Sequence, residues 1–101
     1  MQVQVIRQKG DILKVEDVIE AVAKLCREFN AKEVILFGSR AKETALERSD
    51  IDIAVSGVEN IDLLIQKIEE IPTLYSIDIV NMDECKNKLL LEDIRQYGRE
   101  I

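Results

Sequence analysis

Three short runs rich in β-branched residues, 33–37, 50–55 and 77–81, alternate along the chain with segments whose apolar residues recur every three or four positions. Runs of this length read as strands, and a three-to-four spacing draws one apolar stripe along a helix. From residue 15 to 29 the stripe is Val15, Val18, Ile19, Val22, Leu25, Cys26 and Phe29, with Glu16, Glu20, Lys24 and Arg27 on the wet side. Asn30 is placed to end that helix in a left-handed turn, and Gly38 stops the first strand. Ser39 is positioned to cap a short helix through Ala41 and Lys42, before a polar loop to Ser49. A second amphipathic helix carries Ile61, Leu64, Ile65, Ile68 and Ile71 between the N-cap candidate Asn60 and Pro72. A third begins near Glu84, carries Leu89, Leu90, Ile94 and Tyr97, and ends at Gly98, where a left-handed C′ glycine is expected. The order predicts an α/β (α+β) fold with a mixed core sheet, strands in the order 1-2-3, flanked by helices mainly against one face.

With 101 residues, one proline and no internal repeat, residues 1–101 read as a single small domain. Residues 1–14 fit either a flexible terminus or an edge strand, since Val3 and Val5 alternate with glutamines. An apolar fraction of 47% beside 34% charged residues excludes disorder for most of the chain. No apolar run approaches the roughly 18 residues that span a bilayer, and the N-terminus lacks a signal-peptide core. The expectation is a cytoplasmic protein with no membrane association. The net charge of −6 argues against sequence-independent nucleic-acid binding and favours a basic protein partner. There is no histidine, and Cys26 and Cys85 lie far apart, so zinc and histidine-based catalysis are excluded and both thiols read as filler.

Chemistry must therefore come from carboxylates. Asp50 and Asp52 project from one face of their strand while Ile51, Ile53 and Val55 enter the other. If the third strand is an in-register neighbour, Asp78 comes level with them. Like charges so close repel unless a cation neutralises them, and all-oxygen ligands select Mg²⁺ or Mn²⁺. Two such ions roughly 4 Å apart serve in-line phosphoryl displacement. Gly38 permits close backbone approach, and Ser39 offers a hydroxyl and an amide for a phosphate. Between Ser39 and Asp50 stand three basic residues, Arg40, Lys42 and Arg48, against Glu43 and Glu47, a local excess of positive charge that suits a polyphosphate.

Gly38-Ser39, ten intervening residues, Asp50-Ile51-Asp52, and Asp78 in a later apolar strand together resemble the nucleotidyltransferase superfamily of DNA polymerase beta, in particular its minimal members. The resemblance covers most of the chain. It implies transfer of AMP from ATP to an acceptor hydroxyl, with pyrophosphate leaving and two Mg²⁺ expected with nucleotide. Asp50 and Asp52 would ligate both metals; Asp78 would ligate the catalytic one and lie near the acceptor hydroxyl. Gly38 and Ser39 would hold the β and γ phosphates, with Arg40 and Ser49 also nucleotide-binding. Minimal members commonly act as antitoxins that add AMP to a tyrosine of a small helical HEPN-domain toxin, which would be the partner here. Glu43 departs from the small residue that many relatives keep in the loop. Neither a homo-oligomer nor a hetero-oligomer is singled out.

Plainer readings compete. Asp50-Ile51-Asp52 would guard an exposed sheet edge against aggregation, Gly38-Ser39 would be a capped turn, and Arg40, Lys42 and Arg48 would be surface charges paired to Glu43 and Glu47. Tyr75 and Tyr97 read as core or interface anchors rather than base-stacking platforms. Among functions, a non-catalytic antitoxin that only binds its partner and a transferase acting on a small molecule are the rivals. The latter lacks the added domain that seats such an acceptor.

Overall fold

Helix α1 (Val15–Glu28) follows from its apolar stripe, with Val18, Val22 and Cys26 wholly buried. Asn30 ends it as expected, at φ 64°. The N–H groups of Asn30 and Ala31 return to the carbonyls of Arg27 and Cys26 at 3.0 Å each, satisfying two end carbonyls of the helix. The computed structural model describes residues 14–42, 45 and 49–101. The expectations for residues 1–13 and for Glu43, Glu47 and Arg48 lie outside these residues, while Lys14 stands at the N-cap of α1.

Strands β1 (Glu33–Phe37) and β2 (Ile51–Ser56) pair antiparallel, and β2 pairs in parallel with β3 (Ile77–Asn81) after crossing through helix α2 (Ile61–Glu69). Asn60 caps α2 by accepting the Leu63 N–H at 3.2 Å. The sheet is mixed, and the 1-2-3 order is present within a longer one, β3-β2-β1-β4. The added strand β4 (Arg99–Glu100) lies antiparallel on the outer edge of β1, and the Ile101 N–H extends it to the Val34 carbonyl at 2.9 Å. Two polar residues held by backbone bonds give no hydropathy pattern, so this strand is silent in the sequence.

Helices α1 and α2 cover one face of the sheet, burying Val34, Leu36, Ile51, Ile53 and Val55 against Val18, Val22, Leu64 and Ile68. Leu36, Ile51, Ile53 and Leu64 are almost fully excluded from water, each worth about 1.5–3 kcal/mol. Helix α3 (Lys88–Tyr97) takes the opposite face, where Ile94 meets Ile35, Phe37, Ala54 and Met82. It starts later than the expected Glu84, because Asn81 first turns the chain and Asn87 then caps the helix at Leu90 N–H. At its other end Gly98 has φ −69°, so the expected left-handed glycine is corrected. The position needs glycine for space: a Cβ would stand 2.5 Å from Ile35 Cγ2 and press on the Ile94 carbonyl. Among the described residues no helix is long and apolar enough to cross a membrane.

Candidate active site

The parallel register sets Asp52 beside Asp78, and the antiparallel register sets Phe37 beside Asp52 on the other flank. β2 is therefore an interior strand, which removes the edge-guard reading of Asp50-Ile51-Asp52. Gly38 leaves β1 at φ +76°, in the left-handed region that favours glycine, and a Cβ there would press on Asp52 Oδ2. The main chain thus passes directly over the half-buried Asp52 carboxyl. Burial first, then the charges of Asp78 and Asp50 and hydrogen bonding with Asp78, raise the Asp52 carboxyl above its ordinary range.

Asp78 and Asp50 are exposed. Asp50 precedes the first residue of β2, close enough to repel Asp52. The three carboxylates do not close into a ready-made cluster: among the described residues no three Asp, Glu or Cys side chains are gathered tightly enough to hold a metal ion. The expected convergence is met closely by Asp52 and Asp78 and more loosely by Asp50. The donor set still fits a hard cation, since the oxygens are all carboxylate and a divalent ion would relieve the Asp78 and Asp50 repulsion that adds to burial in raising Asp52.

In place of the short Ser39-capped helix, residues 38–42 form a single turn, closed by the Lys42 N–H on the Gly38 carbonyl at 3.2 Å. One such bond does not offset the cost of fixing a longer helix. Ser39 and Ser49 are half-buried at the two ends of the loop. Arg40 donates from Nε and Nη2 to the Ser49 carbonyl, at 3.2 and 2.8 Å, and its guanidinium lies 5.1 Å from the centre of the Tyr75 ring. Lys42 reaches α3, where its Nζ pairs with Asp93 at 3.1 Å and lies 4.9 Å from the Tyr97 ring centre. Sequence reasoning leaves Tyr75, Asp93 and Tyr97 out of the site, because no local pattern marks contacts between residues 35 to 55 positions apart.

The family description "polymerase beta, nucleotidyltransferase" matches residues 20–101. The chain belongs to this nucleotidyltransferase family. A crystal structure of a toxin–antitoxin with AMP-PNP is similar to it, at 27% identity and a TM-score of 0.66, over 81% of this chain and 70% of that one. A toxin–antitoxin MntA–HpeT mutant is similar in fold, at 24% identity and a TM-score of 0.63, with the same coverage. No curated protein matches the sequence significantly. Within this fold Asp52 lies on β2 and Asp78 on β3, with Asp50 just before β2 and the glycine turn after β1. Cys26 and Cys85 are both free thiols, and burial pushes Cys26 up to about 11.

Proposed function

We propose that this nucleotidyltransferase moves AMP from ATP to an acceptor hydroxyl on a protein, a tyrosine of a HEPN-domain toxin, and acts as the antitoxin of the pair. The observation that carries the reading is Asp52 level with Asp78 beneath the Gly38 turn. An ATP analogue named with one toxin–antitoxin neighbour supports the nucleotide, and two such neighbours support the partner class. Gly38 and Ser39 would lie along the triphosphate, with backbone approach secured by the missing Cβ. Asp50, Asp52 and Asp78 would hold Mg²⁺, or Mn²⁺ in its place. When bound, such ions neutralise the triphosphate and favour in-line displacement of pyrophosphate. Asp78, the exposed member of the pair, would meet the incoming hydroxyl and draw its proton.

Incubation with α-labelled ATP, Mg²⁺ and the purified cognate toxin tests the proposal. Label on a toxin tyrosine is the expected result, and no label under any divalent ion overturns it. A binding-only antitoxin is the second reading; Leu74 and Leu89, 75% and 78% exposed, offer apolar contacts to a partner under either one. Asp52→Ala separates the two. Neutralisation of the toxin survives the substitution if binding suffices and fails if transfer is required.

A further inference from the structure

Arg40 joins three segments that meet at the carboxylates. Its two N–H groups fork onto one carbonyl, that of Ser49, and its flat face lies against the ring of Tyr75. Ser49 immediately precedes Asp50, and Tyr75 stands three residues before Asp78. Between those points the Ile51 N–H donates to the Ser76 carbonyl at 2.9 Å, sealing the starts of β2 and β3 side by side. A planar guanidinium can fork onto an acceptor and stack on a ring at once, which a lysine ammonium does not reproduce. The loop leaving Gly38 is thus fastened at its far end by a residue of its own first turn.

The geometry points to Arg40 as a positioning residue that fixes Asp50 and Asp52 relative to Asp78, by clasping the Ser49 carbonyl and the Tyr75 ring. The inference rests on the nucleotidyl-transfer reading and deepens it, since a phosphate-binding Arg40 would act on nucleotide affinity. A positioning Arg40 acts on alignment. Misplacing a reacting group by about an ångström costs on the order of 100-fold in rate. The Tyr75 ring belongs to the same device: it is half-buried along a groove of about 180 Å³ with Ile68, Ile71 and Ile77, so its platform is held by the β3 flank.

The test compares the full chain with Arg40→Gln, Arg40→Lys and Tyr75→Leu, each first shown to be folded by circular dichroism. Arg40→Gln is expected to lower kcat by about 10- to 100-fold, change the nucleotide KM by less than about threefold, and raise the Mn²⁺ concentration needed for half-saturation. Arg40→Lys should recover little of the loss. Tyr75→Leu should act in the same direction more weakly, and the double variant should be no worse than Arg40→Gln alone. A nucleotide KM raised about tenfold or more with kcat unchanged would overturn the inference and restore the phosphate role. Amide hydrogen exchange gives a readout that needs no turnover: residues 49–52 and 76–78 should exchange faster together in Arg40→Gln. Unchanged exchange in both segments overturns the clasp. A wild-type chain that transfers nothing sinks the nucleotidyl reading instead, and the exchange measurement still decides the clasp.

Discussion

Asp52 and Asp78 occupy the same register position on neighbouring parallel strands, with the Gly38 main chain lying over the Asp52 carboxyl. Side chains at one register position of a parallel pair point to the same face, so the two carboxyls meet as a consequence of topology rather than of loop placement. Burial and the neighbouring charges act on Asp52 in the same direction, favouring its neutral form. The fold spends stability here and recovers it only when positive charge arrives.

Asp52→Asn should therefore stabilise the free protein at neutral pH while lowering nucleotidyl transfer by about a thousandfold, the scale of losing one member of a catalytic unit. The sign follows from proton linkage. Because the folded carboxyl is raised above its ordinary value of 3.8, the folded state keeps its proton longer than the unfolded chain. The contribution of Asp52 is most favourable below that ordinary value and is lost as pH rises through the raised folded value. Thermal melts from pH 3 to 7 check this, the range being chosen to bracket the transition by roughly a unit below 3.8 and well above it. The advantage of the Asn variant should grow with pH, and an advantage that shrinks toward pH 7 would contradict the account.

Gly38→Ala should cost about 1–2 kcal/mol for an L-residue held at positive φ, and should also disable transfer, because its Cβ meets Asp52. Gly57→Ala is the matched control. Gly57 has a similar φ of +75°, but the nearest atoms to its added Cβ belong to the flexible Lys32 side chain, so it should lose comparable stability and keep activity. Urea midpoints and labelled-ATP transfer, measured on both variants, separate strain from damage to the site.

How much of this arrangement was legible beforehand depends on the range of the cause. The glycine stop at Gly38 and the Asn30 and Asn60 caps follow from local rules of dihedral angle and period, and the structure has each of them. The alternation that gives Asp50 and Asp52 one face holds only inside a strand, and Asp50 stands just before β2. The level pairing of Asp52 with Asp78 was conditional on strand adjacency and register, and the parallel pairing meets the condition. Arg40 on Tyr75 and Lys42 on Asp93 depend on where distant segments come to rest, so the sequence offers only a nucleotide-binding role for Arg40 and local glutamate partners for Lys42. Strand β4 escaped because backbone bonds to β1 hold it and its side chains stay exposed. Gly98 was read for the right residue type and the wrong reason, dihedral freedom in place of packing space.

At the other end of the sheet, Glu33 titrates with the opposite sign. Arg95 binds it at 2.5 and 3.1 Å and the Ser56 hydroxyl donates to it at 2.9 Å, and these contacts hold its carboxyl below the ordinary 4.5. Stability from this group is present above that ordinary value and is lost as pH falls through the lowered folded value. Glu33→Gln should thus melt below wild type at pH 7, with the gap closing on acidification. High salt should narrow the gap at neutral pH, since the Arg95 side chain is largely exposed.

Gly98 offers a substitution pair that discriminates between two causes of a glycine requirement. In a left-handed C′ position asparagine is the best substitute, because its side chain tolerates positive φ, and Gly98→Asn should then be milder than Gly98→Ala. Here φ is −69°, which any residue adopts, while the direction a Cβ would take is filled by the Ile94 carbonyl and by Ile35, a core residue. Both variants must push α3 away from β1 or tilt the approach to β4, so each should cost about 1–3 kcal/mol, with asparagine no better than alanine. Denaturant unfolding of the two variants checks the order. If asparagine were the milder change, the close packing of α3 on Ile35 would not be what reserves this position for glycine.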